Sequence, residues 1–193
     1  MAGHVYGETE LITYVYFHIG ARSALRAAAE STDGQLYNLL NAMVMSAFTV
    51  EGYFNHLGEK FGYPEWNNGE DRRTKIWDKY PMLRKKVGLQ SAKIKESYPL
   101  VADLLDFRNS IAHGRTATHK IDQAVDGVKW PHREKIPVGW QVPLNPEHVQ
   151  DCFESMRQLI IELNVAAGLG DKPFQKMGTS TLRFVANEGS SLF

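Results

Sequence analysis

An arginine and a histidine stand five positions apart near the middle of the chain, in the sequence DFRNSIAHG at 106–114. Arg108 carries a permanent charge on a forked donor that matches the oxygens of a phosphate group. His113 is the type of side chain that gives and takes a proton near neutral pH. Together they could cleave a phosphodiester without a metal ion. An alternative remains open, in which Arg108 pairs with Asp103 or Asp106 at the surface and His113 only caps a helix.

The residues around this pair predict a helix that ends beside it. Gly114 is typical of the residue that follows a helix, so His113 is expected in the last turn. Helical geometry separates Arg108 from His113 by about 140°, and the two should therefore flank a cleft. Asn109 shares a face with His113, four positions on. The apolar stripe that defines the helix consists of Leu100, Leu104, Phe107 and Ile111.

Preceded by a long helical hairpin, the segment FRNSIAHG resembles the HEPN-domain family, whose Arg-polar-x-x-x-His motif ends a late helix. The resemblance spans about residues 8–168. It implies an antiparallel helical bundle that forms a homodimer, with two Arg/His sets facing one cleft. Many members are metal-independent RNA endonucleases that act as toxins or in defence, while others only bind nucleotides or proteins. On this resemblance Arg108, Asn109 and His113 are the expected catalytic residues, although an insert after Gly114 departs from the compact pattern.

Composition and charge favour a single domain. The 193 residues contain 22 Lys+Arg and 22 Asp+Glu, so RNA binding would have to come from a local basic patch. One cysteine, Cys152, lies on an apolar helical face and suggests a reducing compartment such as the cytoplasm. No signal peptide and no membrane-spanning segment is expected. Motifs for zinc or other metals, Gly-rich phosphate loops and Gly-x-Ser-x-Gly elbows are absent from the sequence, so no cofactor is predicted.

Hydrophobic periodicity predicts an all-α antiparallel bundle of about five helices within residues 1–170. The helices are expected at about 8–30, 35–61, 72–87, 93–113 and 145–168, with Asp33 and Asn145 as N-caps and a possible break at Pro99. Residues 115–144 form an insert of strand-like content, for which a short β-hairpin or ordered loop is predicted. The tail at 171–193 is polar, apart from an alternating stretch at 181–185 that is expected to form an edge strand or dimer contact.

Two more groups of residues are candidates for the site. Glu51 and Asn55 share a face of the second helix, where the acid either orients the Arg108 guanidinium or pairs with another cation. The most basic region runs from Arg72 to Lys95 and is either a solvated surface or a track for RNA. Rings and cations also mix in the insert, as suits single-stranded RNA, although Trp130 and Trp140 could simply pack it onto the bundle. The RNA-binding candidates are Arg84, Lys85, Lys86, Arg115 and Lys120.

The sequence therefore predicts a metal-independent endoribonuclease that cleaves single-stranded RNA and forms a homodimer, with a cognate antitoxin as a further possible partner. The alternative is a non-catalytic dimeric module that binds a nucleotide or a protein. A third interpretation, an interaction protein without a nucleotide ligand, is consistent with the neutral net charge.

Overall fold

The computed structural model describes residues 3–63, 74–121 and 137–186. Six helices and two strands lie in these ranges. The helices are α1 (Thr13–Glu30), α2 (Gln35–Lys60), α3 (Ile76–Lys86), α4 (Ile94–Ser97), α5 (Pro99–Ala112) and α6 (Pro146–Ala166). The strands are β1 (Gly3–Thr9) and β2 (Ser180–Ala186). The prediction of an all-α bundle is confirmed.

The 26-residue α2 is the central helix, because it packs against α1, α3, α5 and α6. Its buried stripe includes Met43, Val50, Phe54 and Leu57, which recur at the helical period that the sequence shows. Gly52 on α2 faces Tyr14 on α1 so closely that an added Cβ would lie 3.2 Å from the Tyr14 Cβ. A small residue here lets the two helices approach.

Several predicted boundaries are confirmed, and others are wrong. Asn145 caps α6 by accepting a hydrogen bond from the backbone N–H of His148 at 2.8 Å, and the predicted break at Pro99 separates α4 from α5. Asp33 does not cap α2; Gly34 occupies that position in a left-handed conformation (φ +70°), which glycine adopts without strain. The first helix begins at Thr13 rather than near Glu8, because residues 3–9 form β1.

The one strand pair among the described residues joins two segments that are far apart in the chain. β1 pairs antiparallel with β2, and the register sets Val5 opposite Phe184 and Gly7 opposite Leu182. The predicted edge strand at 181–185 is therefore confirmed, whereas β1 was not foreseen. Paired residues point to the same face of a sheet, so Val5, Leu182 and Phe184 form one apolar face. All three are exposed.

The insert differs from the prediction wherever it is described. Residues 115–121 have no regular secondary structure, and Gly139–Gln141 form a turn of 3-10 helix instead of a strand. The proposed hairpin turn at Asp126 and Gly127 lies outside the described residues, as do Arg72, Arg73 and Trp130. No described helix has both the length and the apolar character needed to cross a membrane.

Candidate active site

Arg108 projects from α5 toward α2, where Glu51 receives it. The Arg108 Nη2 lies 2.9 Å from the Glu51 Oε2, and the two side chains are 21% and 37% exposed. The alternative partners considered from sequence are not used: Asp106 pairs instead with Lys95, at 3.2 Å. The Nε of Arg108 is buried and makes no hydrogen bond within the described part of the chain. The guanidinium is thus fixed at one edge and retains donors for a further acceptor.

Lys79, from α3, adds a second cation to this site. Its Nζ donates to the Oδ1 of Asn55 at 2.5 Å, one helical turn beyond Glu51. The Lys79 side chain is buried, which lowers its pKa, while the nearby Glu51 carboxylate raises it. We refer to Glu51, Asn55, Lys79 and Arg108 as the Arg108 cluster. With Lys79 protonated, two cations and one anion leave the cluster with a net charge of about +1, which favours an anion.

Lys79 was counted in the sequence only as part of a basic run. A signal for its role was present, because it lies three positions after Ile76 and four before Leu83, on the stripe that α3 buries. A lysine on an apolar stripe requires a polar partner across the helix interface. Asn55 provides that partner.

His113 ends α5 as its C-cap residue. Its backbone N–H donates to the Asn109 carbonyl at 3.2 Å, and its imidazole is exposed. The negative end of the helix dipole at this position favours a protonated ring. Within the described chain His113 makes no side-chain hydrogen bond or ion pair, so the Arg108 cluster does not include it. Asn109 lies between Arg108 and His113 and is half-buried.

The helical rotation places the two motif residues on different sides of α5. Five residues advance the helix by about 7.5 Å and turn it by about 140°. We call the side that carries Arg108 the inner face, because it packs on α2. The outer face carries Asp103, Asp106, Ser110 and His113, all of which are exposed. In one protomer the guanidinium and the imidazole therefore point to different surroundings.

The predicted RNA-binding cations divide into two groups. Lys85 and Lys86 are exposed at the end of α3, and Arg115 and Lys120 are exposed just after His113. Arg84 differs from the prediction, because its side chain is 12% exposed and is bound to Glu162 at 3.0 Å. It also donates to Tyr80 and to the carbonyl of Gln90. We therefore assign Arg84 to the packing of α3 on α6 rather than to RNA.

Among the described residues, no group of three or more His, Cys, Asp or Glu side chains is arranged to hold a metal ion. Cys152, predicted as a small core residue, is fully buried, and burial raises the pKa of its thiol to about 12. A thiol with this pKa is a poor nucleophile at neutral pH. The groups available for chemistry near α5 are thus the Arg108 cluster and His113.

Comparisons with protein-family models, with curated protein sequences and with solved structures find no match for this chain.

Proposed function

We propose that this protein is a metal-independent endoribonuclease of the HEPN type that cleaves single-stranded RNA. The observation that carries the proposal is the Arg108 cluster, in which a partly exposed guanidinium is fixed by Glu51 and accompanied by Lys79. A preorganised cation of this kind stabilises charge that develops on a phosphate in the transition state. Exposed Arg115 and Lys120 extend the positive charge along the chain beyond His113.

The reaction uses the substrate's own 2′-OH as the nucleophile. A base takes the proton of the 2′-OH, the 2′ oxygen bonds to the adjacent phosphorus, and the bond from phosphorus to the 5′ oxygen breaks. An acid gives a proton to that leaving oxygen. The products are a 2′,3′-cyclic phosphate and a free 5′-OH. His113 performs proton transfer, Arg108 stabilises the phosphorane, and Asn109 positions the phosphate or the imidazole.

The proposed active form is a homodimer. Arg108 and His113 point to different sides of α5, so a phosphate that meets both groups is best served by two copies of the chain. Two His113 residues in one cleft could then act as base and acid. The β1–β2 pair supports dimerisation, because its apolar face of Val5, Leu182 and Phe184 is exposed. A two-stranded sheet that packs on nothing is only marginally stable.

The test is cleavage of a single-stranded RNA by the purified protein in EDTA, with the DNA of the same sequence as control. We expect a 2′,3′-cyclic phosphate from RNA and no cleavage of DNA, which lacks the 2′-OH. Activity that requires added Mg²⁺ or Mn²⁺ would refute the mechanism. Sedimentation at micromolar protein should give a dimer, and Phe184→Asp with Val5→Asp should shift it to the monomer; a wild-type mass near 22 kDa would reject the shared cleft.

A second candidate function is a non-catalytic dimeric module that binds a nucleotide or a protein. The observation in its favour is that Glu51 already occupies one edge of the Arg108 guanidinium, while His113 points elsewhere. In this case wild-type protein binds nucleotide in an Arg108-dependent manner and cleaves nothing. As an endoribonuclease in a reducing cytoplasm, by contrast, the protein would act as a toxin or defence enzyme, held in check by an antitoxin.

A further inference from the structure

A cleft of about 540 Å³ lies on the outer face of α5, between that helix, the 3-10 turn and the start of α6. Its volume falls in the range of small-molecule sites and exceeds what a single nucleobase fills. We call it the outer cleft. Its lining residues are Met43, Asp103, Asp106, Phe107, Ser110, Gly139, Trp140, Pro143 and His148.

One wall of the outer cleft offers a flat aromatic surface. Trp140 is 42% exposed although it lines the cleft, so part of its ring is open to a ligand. Gly139 precedes it with φ +55°, and an added Cβ there would lie 2.9 Å from the His119 Nε2. The turn that presents Trp140 thus depends on glycine. Exposed aromatic rings of this kind stack on the unpaired bases of single-stranded nucleic acid.

The polar groups of the outer cleft accept hydrogen bonds. Asp103 and Asp106 lie three positions apart on α5, and Lys95 pairs with Asp106 alone. Within the described chain Asp103 forms no ion pair, so both its carboxylate oxygens are open. An ionised carboxylate is acceptor-only and can receive two parallel N–H groups. Of the four RNA bases, guanine alone presents two adjacent donors on one edge, at N1 and N2, that match this pair of oxygens.

The outer cleft continues toward the motif histidine. Ser110, which lines the cleft, lies three positions before His113, and Asp106 lies seven positions before it. Residues at these spacings share one helix face. A base in the cleft therefore sets its own ribose and phosphate along α5 in the direction of the imidazole.

From these observations we infer that the outer cleft is a guanine-binding subsite, in which Trp140 stacks on the base and Asp103 accepts its N1 and N2 hydrogens. The inference rests on the proposed function for its role, which is to direct cleavage to the phosphate beside a guanosine. Trp140 and Asp103 are specificity residues and take no part in proton transfer.

Binding of the four nucleoside 3′-monophosphates, measured by titration calorimetry in EDTA, tests the inference without any need for cleavage. Guanosine 3′-monophosphate should bind about tenfold or more tightly than the other three, as expected for a bidentate base contact. Asp103→Asn should abolish the preference, because an amide offers only one acceptor. Asp33→Asn, an exposed change in the turn between α1 and α2, is the matched control and should change nothing.

Equal binding of all four nucleotides, or an Asp103→Asn variant that keeps the guanosine preference, would overturn the inference. RNA cleavage without base preference would leave the proposed endoribonuclease intact and remove only the subsite. Conversely, Asp103-dependent guanosine binding by a protein that cleaves no RNA would support the subsite and refute the enzyme. Because Asp103 is exposed, its substitution is expected to leave folding unchanged, which circular dichroism would verify.

Discussion

The inner and outer faces of α5 treat their functional residues in opposite ways. On the inner face Arg108 is held by Glu51 and lies beside buried Lys79, so the cation has few positions to choose from. On the outer face His113 is exposed at the helix end and has no side-chain partner in the described chain. A charge-stabilising group benefits from being fixed before the reaction, whereas a proton-transfer group must reach solvent and substrate. Substitutions on the two faces should therefore differ in their effects on stability.

The largest effect is expected from Arg108→Ala. Cleavage should fall by about 10²- to 10³-fold, as when a transition-state donor is removed, and RNA affinity should fall as well. The free energy of unfolding should also drop, by about 1–2 kcal/mol, because Glu51 loses its partner at a half-buried position. Single-turnover kinetics, equilibrium binding and urea denaturation measure the three quantities. Arg26→Ala removes an exposed pair with Glu30 and is the matched control; a stability loss as large as that of Arg108→Ala would contradict the difference between the faces.

His113→Ala should affect catalysis alone. Loss of a proton-transfer group should reduce cleavage by about 10²-fold or more while RNA affinity changes little. Unfolding should stay within about 0.5 kcal/mol of the wild type, because surface substitutions of this kind rarely do more. His4→Ala, at another exposed histidine, provides the control. If His113→Ala cleaves RNA as fast as wild type, the enzyme proposal fails.

Acid sensitivity should be traced to a buried histidine and not to His113. His18 is 5% exposed and stacks between Phe153 and Phe174. Burial, followed by the charges of Arg157 and Arg22, lowers its pKa from 6.5 to about 4. The unfolded chain therefore takes up this proton first, so the free energy of unfolding declines as pH falls from about 6.5 to about 4 and levels off below. The loss is about 2 kcal/mol.

Urea denaturation at pH 7 and pH 5 measures this decline. His18→Phe should reduce it, because the new ring stacks without titrating, whereas His113→Ala should leave it unchanged. An identical pH dependence in wild type and His18→Phe would show that other groups control the acid sensitivity.

The smallest effect is expected at the end of α3. Replacing Lys85 and Lys86 by alanine removes two exposed charges, so RNA binding should weaken by less than about tenfold. The slope of log affinity against log salt concentration should flatten by about one. The cleavage rate at saturating RNA should stay the same. Arg84→Ala, by contrast, should destabilise the protein, since Glu162 and Tyr80 lose a buried partner. A double variant that slows the saturated rate would place these lysines at the reacting phosphate.

Local sequence signals explain why the helices were predictable. The stripe from Leu36 to Leu57 keeps one period, and the Asn145–Pro146–Glu147 segment carries the residue types that begin a helix. Both were placed within one or two residues. The contact of Glu51 with Arg108 was one of two interpretations that the sequence left open, because 57 positions separate them. Only the packing of α5 on α2 decides between those interpretations.

Other features had no local signal. Residues 3–9 alternate poorly because they pair with a strand 171 or more positions away and bury almost nothing. Arg84 looked like a surface cation in a basic run, and only the arrival of Glu162 from α6 draws it into the packing. Strand-rich composition at 116–121 and 139–142 misled the prediction, since β propensity mainly reflects packing against neighbouring strands. The described parts of the insert contain no such neighbours.

The pairing of β1 with β2 also sets an order of events during synthesis. Thr9 and Ser180 are 171 positions apart, so at a typical rate of about 5–20 residues per second β1 waits for roughly ten seconds or more before its partner strand leaves the ribosome. Every helix of the bundle can form during that interval. If the exposed apolar face of this strand pair brings two copies together, a nascent chain stays single until translation has passed Ala186, and a stalled chain never acquires a partner.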